Sequence, residues 1–429
     1  MRRAVAQVLL SVLLASLLST TFSVHEAKAS DTIYIRADGS IHPPTANITT
    51  DDSVTYTFTD NNYDSIVVER DNVMVDGTGH TLQGTGVARS RGMDLTGRIN
   101  VTIKNIKVQD FDYGIWLNSS SGNTISGSTI TSNGAGILLI ANSDDNSVSG
   151  NTVTANFNYG VGLSSSSSNS VSGNTIRGNV YWGISLGFSS GNNFSGNTIT
   201  DNGAGIYFGD RSGNNIISGN DMTNNGYGIA LSSASGFNTL SGNTIANNGR
   251  GIILQTSSDN TITGNTIANN SEGIRLESSS GNMLCHNDFI DNEWQVYDAS
   301  WDAPWVLPSA NVWNDDYPSG GNYWSNHTGG DAFKGLGQNE TGSDGILDQP
   351  YMVYTSNQDK YPLAKPYGGP AGDVDGDRDV DVFDIVRIAG TYGSEYPDTK
   401  YNRLCDVDLD GDIDLFDVVK AAVNYGKHW

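Results

Sequence analysis

The sequence predicts a mainly β protein, a parallel β-helix solenoid with a small α-helical, EF-hand-like domain at its C-terminus. Three observations carry this prediction. A phrase, N-x-I-x-G-N-x-I-x-x-N followed by G-I-x-L, returns about every 23 residues from Ser128 to Asn287. Its apolar residues alternate with period two, so Ile and Leu face one way and Ser or Thr the other, as strands require. Beyond the repeats lie two acidic twelve-residue loops whose starts are 33 residues apart.

At the N-terminus, residues 1–29 form a secretory signal. Arg2 and Arg3 precede an apolar run from Val5 to Phe22, and Ala27-Lys28-Ala29 offers a cleavage site. An uncleaved membrane anchor is the alternative. Residues 30–122 are strands and irregular coils that open the rod, rich in Thr, Tyr and Ile.

Residues 123–300 are the regular coils. The second Asn of the phrase stands at Asn151, Asn174, Asn197, Asn220, Asn243, Asn265 and Asn287, and Ser128 fills the slot one coil earlier. A glycine keeps the same time at Gly114, Gly136, Gly160, Gly183, Gly205, Gly228, Gly251 and Gly273. A fixed period of this length means stacked units that touch only their neighbours. No unit holds a helical periodicity, which leaves three short strands per coil, stacked in parallel at roughly 4.8 Å. Asn at the corners tolerates unusual backbone angles and can stack into amide ladders. A single coil buries four or five aliphatics at roughly 2 kcal/mol each, against an ordering cost of about 1–2 kcal/mol per residue. Stability therefore comes from stacking, and both ends need covers.

Residues 301–366 lose the period and become aromatic, with Trp301, Trp305, Trp313, Tyr317, Tyr323, Trp324, Tyr351, Tyr354 and Tyr361. This segment is expected to cover the last coil. Residues 367–372, within a Pro/Gly stretch, are a linker to the tail domain at 373–429.

The tail carries carboxylates at loop positions 1, 3, 5, 7, 9 and 12: Asp373, Asp375, Asp377, Asp379, Asp381 and Asp384, then Asp406, Asp408, Asp410, Asp412, Asp414 and Asp417. Calcium takes six to eight hard oxygens from such a loop, so two Ca²⁺ sites are expected, coupled to folding. Arg378 occupies position 6 of the first loop, where a glycine makes the sharp turn; Gly411 is regular in the second. An amphipathic run follows each loop, Ile385–Ala389 and Val418–Ala422.

Two resemblances follow from these residues. The coils, with Tyr317-Pro-Ser-Gly-Gly-Asn-Tyr-Trp324 and Gly342-Ser-Asp-Gly-Ile-Leu-Asp-Gln-Pro-Tyr351, resemble the NosD-type right-handed parallel β-helix proteins across residues 31–366. That family belongs to a wider set of carbohydrate-binding and sugar-hydrolase β-helices. The duplicated loop and helix, with Asp at position 12, resembles a type I dockerin domain, which implies a cohesin-type partner and attachment to a cell-surface assembly. Val382-Phe383 and Leu415-Phe416 depart from the small polar residues many dockerins carry there. They are either a partner surface or helix packing.

Function has to be sought on the coil faces. The slot before the repeat glycine holds Tyr113, Tyr159, Trp182 and Tyr227, an aromatic column suited to stacking on sugar rings or to packing between coils. Charges are sparse: Arg177, Asp201, Asp210, Arg211, Asp221, Arg250, Glu272, Arg275 and Glu277. Arg250 with Glu272, and Arg275 with Glu277, are expected to be surface ion pairs. No catalytic set is recognisable, so whether the chain is an enzyme, a glycoside hydrolase or a polysaccharide lyase, stays open. Met283, Cys285 and His286 form a soft-ligand set suited to copper, or else the packing of a terminal coil, which is the favoured reading. Asp344 and Asp348 are a hard-cation pair or turn caps, the latter preferred. Cys285 and Cys405 lie in different domains and form no disulfide framework. A net charge of −24 argues against nucleic acid. The resulting expectation is a secreted or cell-surface β-helix that binds or processes polysaccharide and docks through a calcium-dependent dockerin. The alternatives are a structural spacer and a NosD-like copper-handling protein.

Overall fold

Parallel sheets built from one strand per coil organise the chain. The computed structural model describes residues 32–303, 305–354, 357–367, 374, 380–395, 400, 402, 405–407 and 412–426. The signal at 1–29 lies outside them, as do Asp373, Asp375, Asp377, Asp379, Asp408 and Asp410. The first sheet has thirteen strands and holds the G-I segments, such as Tyr159–Ser164, Trp182–Gly187 and Ala204–Gly209. The second has twelve strands, including Ser170–Ser172, and the third eleven, including Thr175–Arg177. Among the described residues no helix is long and apolar enough to cross a membrane.

Period-two alternation becomes a filled interior. Val161, Ile184, Ile206, Ile229, Ile252 and Ile274 align coil on coil in the first sheet, and all are fully buried. Burying each such side chain is worth roughly 1.5–3 kcal/mol. The repeat glycines are fixed by approach rather than by torsion. A Cβ on Gly183 would stand 2.7 Å from the Gly205 carbonyl oxygen, and one on Gly205 would stand 2.5 Å from that of Gly228. Any side chain in this column pushes two coils apart.

The three Asn of the phrase form three buried ladders. Asn174 Oδ1 accepts from the Asn151 backbone N–H (2.9 Å) and Asn151 Nδ2 (3.0 Å), while Asn174 Nδ2 donates to Asn197 Oδ1 (2.9 Å) and to the Val148 carbonyl (2.9 Å). Parallel ladders run through Asn146, Asn169 and Asn192 and through Asn156, Asn179 and Asn202. A serine column, Ser143, Ser166, Ser189 and Ser212, passes backbone N–H to hydroxyl in the same way. These amides satisfy buried backbone groups where the chain leaves one sheet for the next. One expectation is corrected: the ladder Asn residues do not adopt the unusual backbone angles. The residue before each does, as at Gly173 (φ +61°), Asp201 (φ +58°) and Asn214 (φ +57°). The Asn is needed for its side chain, and the left-handed turn falls on its neighbour.

Both ends of the stack are closed. At the N-terminus, Ile33–Ile35 pairs antiparallel with Ile41–His42, and Ile48–Thr49 with Thr55–Phe58. At the other end Trp324 lies between Phe289 (centroids 4.3 Å apart) and Tyr351 (4.1 Å), with Trp313 buried beside it. The ladders end in this segment: Asn311 N–H donates to Asn357 Oδ1 (2.9 Å) and Asn322 N–H to Asp359 Oδ2 (2.7 Å). Trp324 Nε1 also donates to Asp359 (2.9 Å). Burial pushes the Asp359 carboxyl up to about 6, against the pull of these donors.

In the tail, helices span Val382–Thr391 and Leu415–Asn424, each opened by a capping box, Asp381 with Asp384 and Asp414 with Asp417. The loops exchange backbone bonds reciprocally: Gly393 N–H donates to the Ile413 carbonyl (2.8 Å) and Gly426 N–H to that of Val380 (2.7 Å). Val374, Ile388, Cys405, Ile413 and Ala421 form a small core. Cys285 and Cys405 are both buried free thiols.

Candidate functional site

The outward positions of the first sheet fall into columns, and two of them carry the chemistry. Before the glycine, register aligns Tyr159, Trp182, Ala204, Tyr227, Arg250, Glu272 and Trp294. Tyr113 pairs with Ala135 further toward the N-terminus on the same line. Two residues after the glycine, a second column aligns Ser185, Tyr207, Ala230, Ile253, Arg275 and Tyr297. Coil spacing brings side chains of successive turns into contact, so rings in adjacent coils stack.

At the centre Tyr159 and Trp182 lie at 6.3 Å and 19°, and Trp182 and Tyr207 at 5.1 Å and 16°. Phe157 and Tyr181 carry the aromatic surface around the adjoining corner, with Tyr181 6.0 Å from Trp182. Phe157 and Tyr181 are exposed and Trp182 half-buried. Near the N-terminal end, Tyr113 packs on Trp116 (4.7 Å), which Arg91 covers at 4.2 Å.

On the far side the face turns from aromatic to charged. Arg250 Nε meets Glu272 Oε2 at 2.8 Å, Arg275 Nη1 meets Glu272 Oε1 at 3.1 Å, and Arg275 Nε meets Glu277 Oε1 at 2.6 Å. Gln255 Nε2 donates to Glu277 Oε2 (2.7 Å). Arg250 also lies over Tyr227 at 5.5 Å and Arg275 over Tyr297 at 4.8 Å. Two arginines and two glutamates form one network with no net charge. Between it and the stacked rings is a cleft of about 230 Å³ lined by Trp182, Tyr207, Tyr227, Ser232, Arg250 and Glu277.

The other sequence candidates are dispersed. Arg177 and Asp221 lie on the third sheet, Asp201 at the corner leading to the first, and Asp210-Arg211 at the corner leading to the second. None of these joins the cleft. Asp344 accepts from Ile346 N–H (3.1 Å) and Gln338 Nε2 (2.9 Å), and Asp348 from Phe333 N–H (2.9 Å), so both act as turn acceptors.

Met283 and Cys285 share the outward side of one strand, with Leu284 in the core between them. Cys285 is buried, and desolvation pushes its thiol up, away from the thiolate that a soft metal takes. His286 Nε2 is 3.0 Å from the Ser319 carbonyl, so that nitrogen serves as a donor, and its ring stacks on Tyr367 at 4.3 Å. Cys285 and His286 are thus engaged within the last coils, and the Met283 backbone bridges to Val312 of the closing segment.

In the tail, the carboxylates of Asp412, Asp414 and Asp417 present ligand oxygens within 4.8 Å of one another. Asp417 is fully buried and accepts from the backbone N–H of Val407 (2.5 Å) and Asp414 (2.7 Å); Asp384 does the same with Val374 (2.6 Å) and Asp381 (2.8 Å). Val382, Phe383, Leu415 and Phe416 are exposed by 51–67%, which removes the helix-packing alternative for them.

Sequence reasoning missed Tyr207, Trp116 and Tyr297. Trp116 and Tyr207 fill the x of G-I-x-L, an outward position that the repeat leaves free to vary, and Tyr297 holds the same register in a coil that reads Gln295-Val296 in place of Gly-Ile.

The family model described as periplasmic copper-binding protein (NosD) matches residues 27–225 and again 181–329. Among solved structures, the A-module of mannuronan C-5 epimerase AlgE6 from Azotobacter vinelandii is 17% identical, with 60% of this chain and 78% of that one covered and a TM-score of 0.46. The periplasmic alginate epimerase AlgG is 18% identical, with 63% and 71% covered and a TM-score of 0.44. DFA-IIIase from Arthrobacter chlorophenolicus A6 is 11% identical, with 51% and 63% covered and a TM-score of 0.41. No curated protein matches the chain.

Proposed function

This chain belongs to the NosD family, whose model matches most of its length, and on that premise we propose that it is a secreted or cell-surface β-helix that binds polysaccharide along the outer face of its first sheet. One observation carries the reading: the stacked rings of Tyr159, Trp182 and Tyr207 lead directly into a cleft edged by paired arginines and glutamates. Aromatic surface takes the apolar faces of sugar rings, and fixed polar groups at its edge take hydroxyls. Since Arg250 and Arg275 are balanced by Glu272 and Glu277, the face suits a neutral glycan. Both glutamates are engaged by arginines, and this favours binding over a general-acid role.

Calcium is the cation that the tail's donor set fits. Three carboxylates within 4.8 Å form a hard-oxygen cluster whose mutual repulsion a divalent ion relieves. Asp406, Asp408, Asp410, Asp412, Asp414 and Asp417 would hold one ion, and Asp373, Asp375, Asp377, Asp379, Asp381 and Asp384 a second. The dockerin resemblance adds a cohesin-type partner, for which the exposed Phe383 and Phe416 are the natural contact. Copper fits less well. A neutral buried thiol and a histidine nitrogen donating to a carbonyl do not make a copper centre from Met283, Cys285 and His286, and no role is assigned to that metal.

The test is a glycan array followed by titration of the full chain and a Trp182→Ala/Tyr207→Ala variant with the best neutral oligosaccharide. Binding by the wild type and its loss in the variant are expected. Equal binding by both removes the sheet face from the account, and no binding across the panel leaves the rod as a spacer.

A further inference from the structure

From Ser119 to Gly281 every crossing from the first sheet to the second holds two left-handed residues at fixed places, with a third added at Ala141, Asp210 and Ser233. One precedes the serine of the ladder and the other precedes the asparagine. The first column holds Ser165, Ala234, Thr256 and Ser278, and the second Ser168, Gly191, Asn214, Asp259 and Gly281. Small or Asx residues suit such angles. Three residues break the pattern within neighbouring coils: Phe188 (φ +52°), Arg211 (φ +57°) and Phe237 (φ +59°). A bulky side chain is strained there. Core packing gives no return, because Phe188 is 57% and Phe237 65% exposed.

The three share one stretch of surface. A concavity of about 590 Å³ is lined by Phe188, Asp210, Arg211, Ser233, Ala234 and Thr256. A second, of about 400 Å³, lies along the same corner between Arg211 and Phe237. Arg211, Ala234 and Thr256 line both, so the two join into one groove that follows the rod across successive coils. Among the described residues the Arg211 guanidinium forms no ion pair and no hydrogen bond, unlike Arg250 and Arg275 on the sheet face.

We propose that this corner groove is a second glycan site, specific for acidic sugars, in which Phe188 and Phe237 stack on sugar rings and Arg211 takes a carboxylate or sulfate. An unpaired guanidinium presents a planar fork to such an anion. Asp210 and Asp259 also line the groove, so Arg211 would act on the anion by direct bidentate hydrogen bonding and not through the net charge of the groove. The inference stands on its own residues and does not depend on the sheet face.

Full-length protein is titrated with oligogalacturonate, with a sulfated oligosaccharide and, as control, with a cello-oligosaccharide. At least one acidic probe should bind. Phe188→Asn and Phe237→Gly should each weaken it about tenfold or more, equivalent to roughly 1.4 kcal/mol, while Tm stays level or rises as strain is relieved. Arg211→Gln should abolish the preference for the acidic probes, and Trp182→Ala should leave their binding unchanged. The proposal is overturned if neither acidic probe binds, if the three variants bind as the wild type does, or if Tm falls on removing the rings, which would make them structural.

Discussion

Substituting Asn197→Ala removes one rung from the middle of a ladder, and the structure sets the size of the effect. Four bonds disappear: Asn197 Nδ2 to the Val171 carbonyl (2.8 Å) and to Asn220 Oδ1 (2.9 Å), and Asn197 Oδ1 from Asn174 N–H (3.0 Å) and Nδ2 (2.9 Å). The Asn174 N–H is left buried without that acceptor, at a cost of about 1–3 kcal/mol, and the other three bonds contribute about 0.5–1.5 kcal/mol each. The expected destabilisation is therefore about 2.5–7.5 kcal/mol. Thr198→Ala, an exposed neighbour on the same coil, is the control and should change stability by about 0.5 kcal/mol or less. Urea unfolding followed by far-UV circular dichroism measures both. Because coils couple only to their neighbours, the variant should also split the transition in two. A loss under about 1 kcal/mol would refute the assignment of the ladders as the lateral ties of the rod.

Gly183→Ala should destabilise by at least the 1–3 kcal/mol typical of overpacking, since its Cβ meets the Gly205 carbonyl and Ile199 at 2.7 Å; calorimetry showing an unchanged Tm would contradict the close-approach argument. The Asp359 carboxyl, raised from 3.8 to about 6, binds its proton more tightly folded than unfolded, so its contribution to stability falls as pH rises from about 4 to 6. Relative to Asp359→Asn, wild type should lose on the order of a few kcal/mol across that window, and a flat difference would contradict the assignment. Chelation by EDTA should expose the chain beyond residue 367 to limited proteolysis, with calcium restoring protection and Asp417→Asn preventing the rescue. Equal resistance with and without metal would remove calcium from the account.

Much of the rod was legible because packing repeats in every coil. Gly183 recurs since a neighbouring carbonyl leaves no room, and Asn174 recurs since a buried amide must tie two coils. Ile184 recurs since the interior is continuous. The surface obeys no such rule. Tyr207 stands at a position where other coils hold Ser185, Ala230 or Ile253, so nothing in the period singles it out. Phe188 and Phe237 became conspicuous only once their backbone angles placed them in columns of small residues. The Arg250–Glu272 pair was readable because a one-coil offset of opposite charges implies contact, and the Arg275–Glu277 pair because the two flank Leu276 on one strand. Asp359 was not, since its burial depends on a non-repeating segment folding back over the last coil.

The most direct test of the central claim is a crystal structure of the full chain with the neutral oligosaccharide that binds it best. Sugar rings lying across Trp182 and Tyr207, with hydroxyls reaching Arg250 and Glu277, are the expected result. A sugar seated only in the corner groove between Phe188 and Phe237, or none on the first sheet, would contradict it.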